Sequence, residues 1–189
     1  MATKGDFRPL QDDTQVGRCW TLDIMYLPAS SSGHRYLLTL AKRVTSYVSG
    51  IAIKSLNSTA VATAFRQFLC IMPAMAVVLT DHGVSDFGSI FTQLCESLSI
   101  EHGGSTPRRS EAQGGAETAN RILHNTLARI CATGVGRRNW DKALPRTIQS
   151  INCYYPYRSK LSRTQFLFTP FFFSSDQLQL ANPIAYQNF

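Results

Sequence analysis

The stretch that decides the fold reads CWTLDIMYLP and covers residues 19–28. Large apolar side chains recur at every second position from Trp20 to Tyr26, and the positions between them form a second face that carries Asp23. A two-residue period is the pattern of a β-strand that packs one face on a core. Pro28 ends the run, because proline has no backbone N–H for the sheet. We therefore predict a strand with a carboxylate near its centre.

Further β-rich runs follow this strand along the chain. Two of them cover residues 36–40 and 47–53, and the short links between them favour an antiparallel meander. A third run, Ala-Val-Val-Leu-Thr at 76–80, is continuously apolar and is followed by Asp81. Such runs are typical of strands buried on both faces. Asp81 is therefore predicted at the C-terminal end of a buried strand.

Helical spacing fills the gaps between the strands. The predicted helices cover residues 58–72, 87–98, 115–132 and 139–152, with a short strand at 99–102 and a basic loop at 103–115. In the third helix an apolar stripe is formed by Ala119, Leu123, Leu127 and Ile130, and a polar face by Glu117, Arg121 and His124. Gly134 and Gly136 are expected to end that helix. The order of elements predicts an α/β protein with a mixed sheet covered by helices.

The charge balance indicates the kind of partner. The 189 residues include 19 Lys and Arg against 12 Asp and Glu, for a net charge of +7. A basic chain favours a polyanionic partner, and nucleic acid before a membrane surface. The hydrophobic fraction of 44% excludes wholesale disorder, and the length suits one domain.

Cysteine and histidine usage indicates the compartment and excludes one kind of site. The five cysteines are scattered and odd in number, which favours a reduced compartment, and the four histidines are not spaced for a zinc site. The most apolar stretch, residues 68–80, is too short to cross a bilayer, and residues 1–16 lack the apolar core of a signal peptide. We expect an intracellular protein with no membrane partner, not secreted, with residues 1–16 as an arm or linker.

Three carboxylates fall on different predicted elements. Asp23 lies within a strand, Asp81 at the end of another and Glu117 near the start of a helix. If these elements meet, the three charges repel one another and need a divalent metal, for which hard oxygen ligands suggest Mg²⁺ or Mn²⁺. The matching chemistry is two-metal in-line displacement at phosphorus. Taken singly, a strand-end aspartate is also common as a turn residue or helix cap, and that alternative stays open.

Three sequence motifs, one around each of the three carboxylates, form a combined pattern. They are Trp20-Thr21-Leu22-Asp23-Ile24 with Leu27-Pro28, Leu79-Thr80-Asp81-His82-Gly83, and Gln113-Gly114-Gly115-Ala116-Glu117-Thr118-Ala119-Asn120. With 35 residues between Asp81 and Glu117, the combination resembles the D,D-35-E catalytic core of integrases from retroviruses and long-terminal-repeat retrotransposons. The resemblance runs from about residue 17 to about residue 168. It implies an RNase H-like fold, with a mixed five-stranded sheet flanked by helices.

The same resemblance assigns the site. It implies that Asp23, Asp81 and Glu117 are the catalytic residues and hold two Mg²⁺ or Mn²⁺ ions when DNA is bound, with no zinc in this chain. Contacts to DNA, or support of the site beside it, are implied for Gln113, Asn120, Arg121 and His124. For Arg121 and His124 a solvated helix face is the alternative.

Two features of the loop before Glu117 are interpreted from their position. Arg108 and Arg109 are expected to contact DNA phosphates, because they lie in the loop that leads to Glu117. Glu111 competes as a carboxylate but breaks the 35-residue spacing, so we interpret it as a decoy.

The leading function is a metal-dependent polynucleotidyl transferase, a DNA integrase that trims element DNA ends and joins their 3′-hydroxyls to target DNA in the nucleus. The alternatives are a non-catalytic, integrase-derived DNA-binding module and an RNase H-like nuclease. We expect an arm at 1–16, a catalytic core at 17–155 and a C-terminal extension at 156–189. Family cores dimerise through helix faces, so a homo-oligomer is expected, with Trp140 as a candidate contact and a core role as its stronger alternative.

Overall fold

A mixed sheet with helices on both faces forms the centre of the molecule. The computed structural model describes residues 18–42, 45–72, 75–80, 88–104, 110–154, 161–165 and 167. The strands are β1 (Cys19–Tyr26), β2 (Tyr36–Lys42), β3 (Val48–Ile53), β4 (Val77–Thr80) and β5 (Glu101–Gly104). The helices are α1 (Ser58–Ile71), α2 (Gly88–Ser97), α3 (Ser110–Ile130) and α4 (Trp140–Cys153). No helix within these ranges is long and apolar enough to cross a membrane.

The strand order is β3-β2-β1-β4-β5, so β1 lies at the centre of the sheet. Strands β1, β2 and β3 pair antiparallel, as predicted for the meander. Strand β4 joins β1 in parallel, and β5 joins β4 in parallel. The predicted five-stranded mixed sheet is confirmed. Its consequence for the site is that β1 and β4 run side by side in the same direction.

The alternation in β1 separates two cores. Trp20 and Leu22 pack with α1 and α2 on one face of the sheet, and Met25 packs with α3 and α4 on the other. Trp20 is fully buried, which confirms its core role. Asp23 shares the parity of Met25 and therefore belongs to the face that α3 and α4 cover.

Helix α3 begins earlier than predicted. The expected loop through Gly115 is wrong for residues 110–115, because the helix already starts at Ser110. Glycines cost only about 1 kcal/mol each inside a helix, and the downstream apolar stripe pays for that cost. Ala119, Leu123 and Leu127 of that stripe are at most 3% exposed, as predicted. Glu111, which we interpret as a decoy, therefore belongs to α3 and not to a loop.

The predicted break after α3 is confirmed, with a specific geometry. The helix widens into a π-helical turn at Cys131–Val135, and Gly136 then has a φ of 77°. That left-handed conformation favours glycine. A short 3₁₀ turn, Arg137–Asn139, leads into α4, which contains Pro145. The short strand β5 is also shifted from the predicted 99–102, because Ser99 takes a φ of 55° in the turn before it.

Residues after α4 also contribute to the core. Arg163 donates from Nη1 to the carbonyl of Ile151 at 2.7 Å, and Thr164 donates from Oγ1 to the carbonyl of Asn152 at 3.2 Å. These contacts satisfy carbonyls at the end of α4 that have no partner within the helix. Leu167 is fully buried and packs into the cluster that α1 and α2 share. The predicted arm at 1–16 lies outside the described residues.

Candidate functional site

Asp23 is the carboxylate around which the site is built. It is half-buried on β1, and its Oδ1 accepts a 2.7 Å hydrogen bond from the backbone N–H of Ile24. Its Oδ2 accepts a 2.8 Å bond from Nδ2 of Asn120 on α3. Thr39 of the neighbouring strand donates its hydroxyl to the Asp23 carbonyl at 3.2 Å. Three elements of the fold therefore hold this residue.

The Asn120 amide ties α3 to β1. Its Oδ1 is buried and has no hydrogen-bond partner among the residues that the structure describes. A buried amide oxygen without a partner is costly, so it marks a place where a donor or a cation is needed. Glu117 precedes Asn120 by three residues in the same helix, so the two backbone positions lie one turn apart on one helical face. The helix segment that carries Glu117 is thus joined directly to Asp23.

Strand β4 ends beside the same carboxylate. Its last residue, Thr80, is paired with Leu22, the residue before Asp23. The Thr80 side chain is fully buried, and a 2.9 Å hydrogen bond joins its Oγ1 to Nε2 of His102 on β5. Burial lowers the pKa of His102, which favours the neutral ring in this contact. Asp81 follows Thr80 directly in the sequence but lies outside the described residues.

The described residues supply only some of the ligands that a hard divalent cation would need. An aspartate oxygen and a buried amide oxygen without a partner are ligand types that Mg²⁺ and Mn²⁺ prefer. Within the described ranges no three His, Cys, Asp or Glu residues come close enough to hold a metal. Only Asp23 of the three predicted ligands has its side chain in those ranges, since the side chain of Glu117 lies outside them as Asp81 does.

Comparison with known proteins supports one family. The chain is 31% identical over 146 residues to the retrovirus-related Pol polyprotein from transposon 412 of Drosophila melanogaster, covering 73% of this chain. It is 25% identical over 153 residues to the Gag-Pol polyprotein of avian reticuloendotheliosis virus, covering 80% of this chain. The chain spans only 12% and 13% of the lengths of these two relatives. No protein-family model matches the sequence.

Solved structures share the fold. The catalytic core domain of BIV integrase superposes with a TM-score of 0.67 at 17% identity, over 82% of this chain and 95% of that one. The simian T-cell lymphotropic virus intasome in complex with PP2A regulatory subunit B56 gamma gives a TM-score of 0.71 at 20% identity, over 84% of this chain and 56% of that one. The chain is thus related in sequence to retroviral and retrotransposon Pol polyproteins and shares its fold with retroviral integrase catalytic cores, which confirms the predicted resemblance. The predicted RNase H-like fold, a mixed five-stranded sheet flanked by helices, is likewise confirmed.

Only some of the residues predicted to contact DNA lie within the part of the chain that the structure describes. Arg121 and His124 are exposed on α3, one turn and two turns from the Glu117 backbone. Asn120 lies at the carboxylate itself. Arg108 and Arg109 lie outside the described residues, as does the side chain of Gln113. The assignment of all these residues to DNA stays a prediction.

A second cluster beside the site was missed by sequence reasoning. The loop between β1 and β2 is fastened to the start of α4: Trp140 donates from Nε1 to the carbonyl of Pro28 at 2.7 Å, and His34 Nδ1 lies 2.9 Å from Asp141 Oδ2. Ser31 also binds the connection, through its N–H to the Arg138 carbonyl at 2.6 Å. Trp140 is 3% exposed, which confirms the core role that was its stronger alternative to a contact with a second copy of the chain.

The buried amide of Asn152 was missed as well. Its Nδ2 donates to the Val48 carbonyl at 2.6 Å, and its Oδ1 accepts from the Val48 N–H at 3.1 Å. The side chain thus completes the backbone pairing at the start of β3, the edge strand of the sheet. A single asparagine near a helix end has no local signal that would reveal such a partner 104 residues away.

Proposed function

We propose that this integrase core is a metal-dependent polynucleotidyl transferase, which processes element DNA ends and joins their 3′-hydroxyls to target DNA. The observation that carries the proposal is the 2.8 Å hydrogen bond between Asn120 and Asp23. It fixes α3, at a point one turn after Glu117, against the strand that carries the first carboxylate.

The parallel pairing of β1 with β4 supports the same convergence. Leu22 is paired with Thr80, the last residue of β4, so β4 ends level with the part of β1 that carries Asp23, and Asp81 is the next residue in the sequence. Consecutive Cα atoms are about 3.8 Å apart, and neighbouring strands lie about 4.8 Å apart. The proposal therefore requires Asp81 only to lie beside the end of β4, to which it is joined in the sequence.

Asp23, Asp81 and Glu117 would hold the divalent ions, which when bound activate the attacking hydroxyl and stabilise the leaving oxygen. The chain itself orients Asp23 through Asn120 and the Ile24 N–H. These two donors stabilise the negative charge of the carboxylate, so its oxygens are fixed before a substrate arrives. The net charge of +7 suits a DNA substrate, and a homo-oligomer on DNA is part of the same proposal.

The proposal is tested by a strand-transfer assay. The purified chain is incubated with labelled duplex oligonucleotides and Mg²⁺ or Mn²⁺, and joined products are separated by size. Asp23→Asn, Asp81→Asn and Glu117→Gln are expected to abolish product. Glu96→Gln, which removes an exposed carboxylate on α2, is the matched control and should leave product unchanged.

Three results would contradict the proposal. Equal product from the wild type and Asp81→Asn would remove the assigned mechanism. DNA binding without any metal-dependent product would favour the non-catalytic module. Shortened strands that are never joined to a second duplex would favour the nuclease.

A further inference from the structure

A cavity of about 460 Å³ lies beyond the candidate site, between the end of β1, the second half of α3 and the start of α4. Its floor is apolar and includes Leu27, Leu127 and the ring-bearing Trp140. Cys131 also lines it. Burial, and to a smaller extent the nearby Asp141 carboxylate, raise the pKa of that thiol, so it stays neutral. The floor therefore presents uncharged, weakly polar surface to whatever enters.

The rim of this cavity is basic. His124, Arg129 and Arg137 line it, and all three are exposed. No carboxylate is among the lining residues that the structure describes. Asp141, the nearest acidic residue along the chain, is engaged by His34. Charge complementarity thus favours an occupant with an apolar body and a negative group.

Two of the elements that form the cavity lead to it from the candidate site. Along β1, Leu27 follows Asp23 by four residues on the same face, which is about 13 Å at 3.3 Å per residue. Along α3, His124 and Ala128 follow Asn120 by one and two turns, which is about 6 and 12 Å at 1.5 Å per residue. The lining of the cavity therefore extends from about 6 to about 13 Å from the site, a span of about two to four stacked nucleotides at 3.4 Å each.

The rim is also held in place. Ser31 donates its N–H to the Arg138 carbonyl at 2.6 Å, and its hydroxyl donates to Oδ1 of Asn139 at 2.6 Å. Gly136, with its φ of 77°, sets the direction of the chain just before Arg137. The backbone that presents Arg137 is thus fixed against the loop after β1, so the basic rim does not depend on a loose chain segment.

We propose that this cavity binds an unpaired nucleotide of the DNA substrate, with its base on the apolar floor and its phosphate at the basic rim. The proposal rests on the proposed function for the identity of the ligand, and it adds a second DNA subsite within about four nucleotides of the reacting phosphodiester. Inside a duplex the faces of the bases are covered by stacking on their neighbours, so an unpaired base is the part of a DNA strand that can lay its face on this floor. An acidic peptide with an apolar side chain has similar chemistry, and its binding is an outcome of the test.

The test measures binding, not catalysis, so it is independent of the carboxylates. The full chain is titrated in EDTA into fluorescent hairpin DNA, either blunt or with a two-nucleotide unpaired flap at one end. The wild type is expected to bind the flapped hairpin about tenfold more tightly than the blunt one, and an abasic flap should lose that preference. Arg137→Gln should reduce the slope of log K against log salt by about 1, and Arg137→Lys should restore it.

A matched pair of variants tests the cavity directly. Ala128→Phe fills it, whereas Asn125→Phe adds the same ring to an exposed position of α3 that does not line it. Loss of the flap preference in the first variant and its retention in the second supports the proposal. Equal affinity of the wild type for flapped and blunt DNA would overturn it, as would an unchanged preference in Ala128→Phe. Binding of an acidic amphipathic peptide that Ala128→Phe abolishes, with no flap preference, would assign the cavity to a protein partner instead.

Discussion

Removing the Asn120 amide should separate catalysis from folding. Asn120→Ala deletes the 2.8 Å hydrogen bond from Nδ2 to Asp23 Oδ2. A hydrogen bond to a charged group contributes about 1.5–3 kcal/mol, and about 1.4 kcal/mol corresponds to a factor of ten in rate. If that energy orients the carboxylate for the reaction, strand-transfer activity should fall by about 10- to 150-fold.

The effect on folding should be small by comparison. The Asn120 Oδ1 is buried without a partner among the described residues, so its removal also removes the free-energy cost of burying an unpaired acceptor. We expect a melting temperature within a few degrees of the wild type, measured by circular dichroism. Asn125→Ala, which truncates an exposed asparagine of the same helix, is the control and should change neither activity nor melting.

Activity of Asn120→Ala within twofold of the wild type would refute the reasoning, because the hydrogen bond would then carry no catalytic orientation. A parallel loss of activity and of folded protein would also refute it, since the amide would then act only on stability. Measuring the rate at saturating Mg²⁺ and again at limiting Mg²⁺ distinguishes orientation of Asp23 from weakened metal binding.

Three further predictions follow from buried polar contacts. Asn152→Leu removes both hydrogen bonds to the edge strand and leaves two backbone groups of Val48 unpaired. The free energy of unfolding, measured in urea, should therefore fall by about 2–4 kcal/mol, and a decrease of less than about 1 kcal/mol would contradict this prediction. Desolvation raises the pKa of Asp141, but hydrogen bonds that include one from His34 outweigh it, so the pKa is lowered from its ordinary 3.8. The charged carboxylate therefore stabilises the fold above pH 3.8, and this stabilisation is lost as the pH falls through the lowered pKa. The difference in melting temperature between wild type and Asp141→Asn should shrink between pH 5 and pH 2.5, and a constant difference would show that the charge is irrelevant. Thr80→Val removes the hydroxyl that binds His102 at the end of β4, so the free energy of unfolding should fall by only about 0.5–1.5 kcal/mol. The Mg²⁺ concentration for half-maximal strand transfer should rise about 2- to 10-fold, and an unchanged Mg²⁺ requirement would rule out a positioning role.

Most of the fold was predictable because its signals are local. Alternation around Asp23 separates the two faces of β1, and the continuous apolar run before Asp81 predicts a strand buried on both faces. The start of α3 was not predictable in this way, because Gly114 and Gly115 indicate a loop when only neighbours along the chain are considered. Packing of the later apolar stripe, a tertiary effect, extends the helix through them.

The candidate site was predictable to the extent that its residues share a recognisable phrase. Asn120 was expected to support the site from that phrase, and the structure places its amide on Asp23. The contacts of His34 and Asn152 had no such signal, because each partner lies more than 100 residues away along the chain. Spacing cannot reveal a hydrogen bond that depends on how α4 packs against β3. The roles of Asp81 and Glu117 stay predictions.

The contacts around Asp23 indicate how the proposed metal site would tolerate its own charge. Three carboxylates in one place repel one another when no cation is bound, so the surrounding elements must be held together by other means. Two of the holding contacts that the structure describes are neutral, an asparagine amide on α3 and a threonine hydroxyl on β2, and on the opposite face of the sheet the Thr80–His102 pair joins the end of β4 to β5. Because none of them carries a formal charge that would compete with a divalent ion, they orient the site without neutralising it. A lysine or arginine in place of Asn120 would satisfy Asp23 better in isolation and would for that reason disfavour the ion.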